Sequence, residues 1–270
     1  MHVKINTDNT GEIYELGRLT HEQARLRIQS RPAVIIPLGS CEPFGQIGAV
    51  GAGTVCATEV AKDLSAKCKV LAAPPIPFGC STPFISFPGA TGVKPRTFIN
   101  MLCEIIHAYV FQGVVRVFLI NAAPFNREPA AEAIKRVEGK YPAVKAMLYD
   151  INAVIKGRGA VAGFDRDDEL ILSLLAYIRP DMHHGVIDDK RKNIDAGQYR
   201  TWKKRGRDPE KLRKLSSGGL FLPADDGASG IAPKQGEKYF CRVVESIQKE
   251  MQAALESIPP SPDSGGARAR

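Results

Sequence analysis

The chain has 270 residues, of which 44% are hydrophobic and 24% charged, and its formal net charge is +8. This length and composition suffice for one large core, so we expect a single α/β domain over residues 1–258. The sequence contains no apolar run long enough to cross a membrane, and its first residues lack the apolar stretch of a secretory signal. We therefore expect a cytoplasmic protein without a membrane span. The final segment, 259–270, lacks large apolar side chains and is predicted to be disordered.

Six cysteines stand at positions 41, 56, 68, 80, 103 and 241. They form no CxxC pair and follow no regular spacing. The pattern therefore favours reduced thiols over disulfides.

Most of the excess positive charge lies between Lys190 and Lys214. Such a cluster can be a nucleic-acid site. Here the basic residues alternate with acids, and only Tyr199 and Trp202 are aromatic, so the pattern favours a solvated surface arm or a subunit contact. Nucleic-acid binding remains the less favoured alternative.

The first half of the chain alternates helical and strand patterns. Apolar residues on one face of 19–30 predict a helix, and the apolar segment 33–40 predicts a strand. A long glycine-rich loop follows, then a predicted helix from residue 54 to about Ala66 and a short strand within 69–79. Prolines and glycines in 80–93 predict a loop, and the next segment predicts a helix that Gly113 ends.

The second half continues this alternation. The near-continuous apolar run 115–123 is typical of a strand buried on both faces of a parallel sheet. Helical patterns cover 128–141, 167–182 and 237–258, and a strand pattern covers 143–151. Strictly alternating strands and helices predict a three-layer α/β/α fold with a mainly parallel central sheet.

Ligands of such a fold bind at the carboxyl edge of the sheet, where the loops after the strands meet. The predicted loops begin after Ser40, Gly79, Asn121 and Asp150. The first of them contains glycines at 45, 48, 51 and 53 and a single acid, Glu42. We therefore expect these loops to form the ligand pocket.

The glycine spacing in this loop also allows a second interpretation, a phosphate cradle. The loop does not match GxGxxG, has no lysine at the P-loop position and is longer than a Rossmann turn, so this signal is weak. A small anion at the N-terminus of the following helix remains an alternative.

Five motifs stand in a recognisable order: PLGSCEPFG, PPIPFG, FPGATGVKPRTF, LINAAPFN and GASGIAPKQGEK. They resemble the creatininase family of metal-dependent amidohydrolases, whose motifs read like PLGSTEQHG, PPLPYG, FPGTxSLxPxTL, LxNGHGGN and GxxGDPxxATAEKG. The resemblance extends from about residue 30 to 255. It implies a creatininase-like fold, action on amide or cyclic amide C–N bonds, and a homo-oligomer, commonly a hexamer.

The resemblance also implies a two-metal site of zinc or manganese, built from acidic and histidine ligands on these loops. Carried over by position, the first glutamate matches Glu42. Other ligand positions hold residues that cannot bind a metal through their side chains: Phe44, Gly53, Ala123 and Phe125. A further histidine position falls on Val161, and the nearby family acid can be placed only at Asp168 or Glu169.

One carboxylate cannot hold two metal ions, because each ion needs about three or more protein ligands. The sequence therefore predicts a member of the family without a cofactor. Zinc or manganese would require rebuilt ligands, and the candidates are Glu42, Cys41, Cys80 and the acids Asp165 to Glu169. Four acids at the start of a helix are more simply explained as caps that complement the helix dipole.

Glu42 is the principal catalytic candidate. A carboxyl group without a metal, beside Phe44, has a raised pKa and can act as a general acid or base. The alternative is that Glu42 only accepts N–H bonds from its loop. Cys41 is a weaker catalytic candidate, since no histidine in these motifs would activate its thiol, and small buried thiols are the favoured reading for Cys41 and Cys80.

The remaining candidates are assigned to substrate binding. Asn121 and Asn126 match the two asparagines that frame the NGHGGN loop, and they either hold the turn or bind a polar ligand. His183 and His184 are predicted to be a surface pair after a helix, and His107 has no polar partner in the sequence nearby. The predicted substrate-binding set is Ser40, Phe44, Gly53, Cys80, Asn121, Phe125, Asn126, Asp168 and Glu169.

Three hypotheses for function follow. In the first, the protein binds a small polar or cyclic amide-like molecule and transforms it by metal-free acid–base chemistry through Glu42. In the second, it is a non-catalytic binding or assembly protein whose pocket is partly filled by Phe44 and Phe125. In the third, rebuilt ligands support a metal-dependent C–N hydrolase.

Overall fold

The computed structural model describes residues 14–44, 48–85, 87–157, 167–183 and 233–258. Its sheet has four strands: β1 (Ala33–Leu38), β2 (Leu71–Ala72), β3 (Arg116–Asn121) and β4 (Lys145–Asp150). The strand order is β2-β1-β3-β4, and every neighbouring pair is parallel. The predicted parallel sheet is confirmed.

Seven α-helices and four short 3₁₀ turns lie in the described residues. The helices are α1 (His21–Ser30), α2 (Ala52–Cys68), α3 (Pro95–Phe111), α4 (Arg127–Lys140), α5 (Ile151–Lys156), α6 (Asp167–Ile178) and α7 (Pro233–Glu256). The 3₁₀ turns are Leu16–Arg18, Thr82–Phe84, Pro124–Asn126 and Pro180–Met182. None of the described helices combines the length and apolar character needed to cross a membrane.

Local sequence signals explain several helix boundaries. Thr20 and Gln23 form a reciprocal capping box: the Gln23 N–H donates to Thr20 Oγ1 at 3.3 Å, and the Thr20 N–H donates to Gln23 Oε1 at 2.8 Å. Pro95 occupies the first turn of α3, where its missing N–H has no cost. Beyond the end of that helix, Gly113 has a φ of +98°, a conformation that glycine adopts without strain.

The central strands β1 and β3 are buried along their whole length. Successive β1 residues contribute to opposite faces, since Ile35 belongs to one hydrophobic core and Val34 and Ile36 belong to the other. The first core lies under α2, α6 and α7, and the second lies under α3 and α4. The architecture is therefore the predicted three-layer α/β/α sandwich.

The predicted short strand within 69–79 is confirmed, and one helix was not predicted. Strand β2 is only two residues long, because prolines at 74, 75 and 77 lack the N–H groups that would extend the ladder. Helix α5 begins directly after β4, where the apolar pattern of the strand continues without a break. Asp150 starts this helix, since its carboxylate accepts a hydrogen bond from the Ala153 N–H at 2.9 Å.

Several predictions fall outside the described residues. They concern the basic segment 190–214, the tail 259–270, Asp165, Val161 and His184. These remain predictions from the sequence.

Candidate functional site

Strand register brings three loops to one edge of the sheet. Leu38 of β1 is paired with Asn121 of β3, and Asn121 is paired with Asp150 of β4. The segments that begin at Gly39, Ala122 and Ile151 therefore start side by side, as expected for a parallel sheet. The candidate site is this carboxyl edge.

Glu42 is the acidic residue of the site, and only 5% of its surface is exposed. Its carboxylate accepts a hydrogen bond of 2.8 Å from Ser81 Oγ, and its backbone N–H donates to the Val50 carbonyl at 3.1 Å. Burial raises the pKa of Glu42 to about 7, while the hydroxyl groups of Ser81 and Ser40 act in the opposite direction. Near neutral pH the carboxyl group therefore exchanges between its two protonation states.

Ser81 was not recognised from the sequence, although it holds the acid directly. It follows Cys80 in the Pro- and Gly-rich loop after β2, and its side chain is completely buried. The same loop also contains Thr82, Ser86 and Thr91, so nothing in the sequence distinguished Ser81 from the other hydroxyl residues.

Ser40 lies two residues beyond β1 and is also fully buried. Its carbonyl oxygen accepts a hydrogen bond of 3.1 Å from Thr54 Oγ1 at the start of α2. Its own hydroxyl group makes no hydrogen bond of standard geometry to any described residue, although it is close enough to Glu42 to lower that pKa.

Gly53 faces the same edge. A Cβ atom at position 53 would lie 3.2 Å from Ser40 Oγ and 3.4 Å from the Ala122 carbonyl oxygen. A side chain here would therefore project between the ends of β1 and β3. Even a methyl group would be in tight contact there, so glycine allows the start of α2 to approach the two strand ends closely.

The two phenylalanines of the predicted site have different surroundings. Phe44 is 4% exposed and belongs to the hydrophobic core under α2, α6 and α7. Phe125 packs edge-to-face on Phe84, with ring centroids 5.4 Å apart, and Phe84 contacts Phe87 in turn. Phe44 is thus part of the core, whereas Phe125 contributes to an aromatic cluster beside the loop that carries Ser81.

Asn126 connects two of the loops. Its Nδ2 donates to the Gly39 carbonyl at 2.9 Å, and its Oδ1 accepts from the Cys80 N–H at 2.8 Å. A Cβ atom at Gly79 would lie 2.7 Å from the Gly39 oxygen and 2.8 Å from Asn126 Nδ2, so the close approach requires glycine. This geometry favours the bracing role of Asn126, and a ligand contact remains a prediction.

Asn121 is engaged in a similar way. Its Nδ2 donates to Asp150 Oδ2 at 2.8 Å and to the Ala123 carbonyl at 2.9 Å, and its Oδ1 accepts from the Ala123 N–H at 3.3 Å. Arg127 clamps the same carboxylate through Nε at 2.6 Å and Nη2 at 2.8 Å. Asp150 and Arg127, which the sequence did not indicate, join the ends of β3 and β4 to the start of α4.

The two cysteines of the site are held as thiols. Cys41 Sγ donates to the Pro77 carbonyl at 3.5 Å, and burial together with the Glu42 charge raises its pKa. The same two causes raise the pKa of Cys80 to about 11. A thiolate nucleophile is therefore disfavoured at either position near neutral pH.

Three further residues singled out in the sequence are Asp168 and Glu169, which belong to helix α6, and His183, whose backbone contacts the glycine-rich loop. Asp168 and Glu169 lie in the first turn of α6, and their side chains are outside the described part of the structure. His183, predicted at the surface, is half-buried and forms an isolated backbone bridge with Gly48 of the glycine-rich loop. The Ala49 N–H donates to the Met182 carbonyl at 3.3 Å, which joins the two segments further.

His107 lies elsewhere, on α3. Its Nδ1 is hydrogen-bonded to Tyr141 Oη, and the two rings stack with centroids 5.6 Å apart. This pair lines a groove of about 290 Å³ between α3 and α4, together with Cys103, Arg136 and Lys140. Tyr141 is the partner that the local sequence around His107 did not indicate.

The residues of the edge do not fit a two-metal centre. Among the described residues, no group of three or more His, Cys, Asp or Glu side chains is arranged to hold a metal ion. Glu42 supplies one carboxylate, while Phe44 is committed to the core and positions 53 and 123 offer no donor atom. Borderline metals require about three or more protein ligands, so these residues do not supply a zinc or manganese site.

The fold and the site define a three-layer α/β protein with a polar site at the carboxyl edge of a parallel sheet. The chain belongs to the creatininase family, whose model, described as creatinine amidohydrolase, matches residues 17–251. Solved structures agree in fold. A crystal structure of creatinine amidohydrolase is 18% identical with a TM-score of 0.69, covering 90% of this chain and 98% of that one. A manganese creatininase has the same identity and TM-score, with 90% and 99% covered.

A curated relative shares part of the sequence. The 3-dehydro-scyllo-inosose hydrolase of Thermotoga maritima is 31% identical over 105 residues. The match covers 38% of this chain and spans 33% of that relative. The similarity thus connects this chain to a hydrolase over about a third of the relative's length.

Proposed function

We propose that this protein binds a small polar or cyclic amide-like molecule at the carboxyl edge of the sheet and acts on it by acid–base chemistry through Glu42, without the family's two-metal centre. The observation that carries the proposal is the environment of Glu42, a 5%-exposed carboxyl group that accepts a hydrogen bond from Ser81. Its pKa of about 7 matches the requirement for proton transfer near neutral pH.

The two protonation states of Glu42 have complementary roles. In the neutral state, the acid donates its proton to the amide nitrogen of the bound molecule as the C–N bond breaks. Water supplies the oxygen that bonds to the carbonyl carbon, and the proton released from water returns to the Glu42 carboxylate. The step is balanced and regenerates the acid, and hydrogen bonding by Ser81 stabilises the carboxylate between the two transfers.

The family supports this choice of substrate. The matching family model is described as creatinine amidohydrolase, and the curated relative is named as a hydrolase. The amide substrate and C–N bond hydrolysis therefore rest on the description of the family model, and the relative supports only hydrolysis of a small molecule.

A second candidate function is non-catalytic binding or assembly. Packing of Phe125 against Phe84 favours it, because this aromatic pair fills space beside the loop that carries Ser81. In this alternative Glu42 serves only to brace its loop. Family resemblance also supports a homo-oligomer, with a hexamer as the expected size, and size-exclusion chromatography with light scattering measures it. The cytoplasmic location stays a prediction from the sequence.

A third candidate is a hydrolase with rebuilt metal ligands. It requires Glu42 to act with Cys41, Cys80 and the acids near the start of α6. Raised pKa values oppose thiolate formation at both cysteines, which weakens the proposal of a soft metal pair.

The Glu42→Gln variant tests the proposed function. Glutamine has nearly the same shape and still accepts a hydrogen bond from Ser81, but it cannot transfer a proton. With creatinine and hydantoin as substrates, we expect measurable turnover by the wild type and a loss of at least a hundredfold in kcat for the variant. Glu104→Gln, an exposed substitution on α3, is the matched control and should retain full activity. Folded, ligand-binding wild type without any turnover would favour the non-catalytic alternative.

A further inference from the structure

Two buried polar side chains at the carboxyl edge make no hydrogen bond of standard geometry to a described residue. They are the Ser40 hydroxyl and the Asn152 side-chain amide, whose Oδ1 and Nδ2 are both unsatisfied. Their residues are 0% and 1% exposed, so bulk water does not replace the missing partners. Nearly all buried polar groups in native proteins are hydrogen-bonded, and each exception requires an explanation.

The contrast with other asparagines in the same region is direct. Asn121 and Asn126 are equally buried, and both use their amide oxygen and nitrogen in hydrogen bonds. The fold therefore provides partners for two of the three buried amides at this edge. Asn152 is the one left unsatisfied within the described part of the chain.

The sheet register places the two unsatisfied groups at one edge. Ser40 follows the end of β1 by two residues, and Asn152 follows the end of β4 by two residues. The ends of β1, β3 and β4 are in register and neighbouring strands lie about 4.8 Å apart, so the last residues of β1 and β4 are about 10 Å apart. The strand between them is β3, and the residue two positions past its end is Ala123, whose side chain is only a methyl group.

We propose that Ser40 and Asn152 are two polar anchors that hold opposite sides of one neutral ligand across the end of β3. This inference rests on the proposed function and adds the residues that would hold the ligand. An amide side chain offers one acceptor and two donors, so it is matched by a group with an N–H or O–H beside a carbonyl, as in amides and ureides. The Ser40 hydroxyl binds a second polar atom of the same ligand.

The charges at the edge select a neutral ligand. Both anchors are uncharged, and the Arg127 guanidinium is engaged with Asp150 through two hydrogen bonds. An anionic ligand would lie near Glu42 without a dedicated counter-charge in the described site, and burial of an uncompensated charge is unfavourable.

Stability and binding of the Asn152→Leu variant test the inference together. Because leucine removes polar atoms that have no partner, we expect the Tm of the ligand-free protein to rise by about 2–4 °C. The matched control Asn126→Leu removes an amide with complete hydrogen bonding and should lower Tm by at least the same amount. A fall in Tm for Asn152→Leu comparable with that of Asn126→Leu would overturn the inference.

Binding is measured with acetamide and hydantoin, two neutral probes with an N–H beside a carbonyl, by ligand-observed NMR. We expect about tenfold weaker binding for Asn152→Leu than for the wild type, as for the loss of one or two hydrogen bonds. Ser40→Ala, a smaller change, provides a second variant and should also weaken binding while keeping or raising Tm. Unchanged affinity in both variants would contradict the anchor role even if the wild type binds. A wild type that binds neither probe would instead reject the proposed function, and with it the ligand that these anchors serve.

Discussion

Ser81 Oγ donates a hydrogen bond of 2.8 Å to Glu42 Oε1 inside a fully buried site. The two residues belong to different loops, 39 positions apart in the chain. A neutral hydroxyl group thus replaces the cation or metal ion that would ordinarily stabilise a buried carboxylate, and this arrangement leaves the pKa of Glu42 near neutrality.

Removing this hydroxyl group should raise the pKa of Glu42. In Ser81→Ala the bond that lowers the pKa is lost while the burial that raises it remains, so we expect a pKa above about 7 and a more alkaline pH–rate profile. NMR titration of isotope-labelled glutamate side chains measures the shift. Ser65→Ala removes another buried hydroxyl bond, to the Val70 carbonyl, and should cost about 1 kcal/mol of stability without moving this pKa. A pKa of Glu42 that is unchanged or lower in Ser81→Ala contradicts the assignment.

The raised pKa makes stability depend on pH in a defined direction. Between the ordinary value of 4.5 and about 7, the folded state keeps the proton on Glu42 while the unfolded state loses it. The free energy of unfolding contributed by this group is therefore greatest below pH 4.5 and is lost as the pH rises to about 7, by a total on the order of 3 kcal/mol. Urea denaturation at several pH values should show this loss in the wild type and not in Glu42→Gln. If the free energy of unfolding fell equally with pH in both proteins, the pH dependence would come from groups other than Glu42.

The loop contacts at the edge predict that position 79 accepts only glycine. In Gly79→Ala the new Cβ would crowd the Gly39 carbonyl oxygen at 2.7 Å and Asn126 Nδ2 at 2.8 Å, so the two loops must separate. We expect the free energy of unfolding of Gly79→Ala to fall by about 2–4 kcal/mol and ligand binding to weaken. Gly139→Ala is the control, because a Cβ at this position in α4 meets nothing within 4 Å and alanine favours the helix. Equal stability of the two variants would contradict the described loop packing.

Cysteine reactivity provides an independent measure of the site. Since burial and the Glu42 charge raise the pKa of Cys41 and Cys80, both thiols should react slowly with iodoacetamide at neutral pH. Cys241, which is exposed on α7, is the internal reference and should be modified first. Mass spectrometry of partly modified protein gives the order. Fast modification of Cys41 would instead restore the thiolate nucleophile as a candidate.

Much of the fold could be predicted from the sequence because each element carries its own local pattern. The continuous apolar run around Phe118 predicted a strand buried on both faces, and the structure buries all of β3 between two cores. Helix α5 escaped prediction because Ile151 and Ile155 extend the apolar pattern of β4 across the capping residue Asp150. The alternation of strands and helices suggested that the pocket lies at the carboxyl edge. The family resemblance, confirmed by the match over residues 17–251, pointed to the same loops.

The site was less predictable, because its contacts join residues far apart in the chain. Glu42 was identified as the acid, and its raised pKa was expected from the neighbouring Phe44. The structure places Phe44 in the core and shows burial of the carboxyl group itself as the main cause of the raised pKa. Ser81 and Asn152 carried no motif, since a hydrogen bond between two loops, or the lack of one, leaves no periodic signal in a sequence. Bracing by Asn126 was one of two roles left open, and only its distances to Gly39 and Cys80 favour that role.

If Glu42 transfers protons without a metal ion, the purified and active protein contains no stoichiometric zinc or manganese. Protein purified without chelators and dialysed against metal-free buffer is analysed by inductively coupled plasma mass spectrometry, with wild type and Glu42→Gln in parallel. We expect zinc and manganese far below one ion per chain in both samples, together with turnover by the wild type. Stoichiometric zinc or manganese in the wild type that is lost in Glu42→Gln would contradict this expectation and would identify Glu42 as a metal ligand.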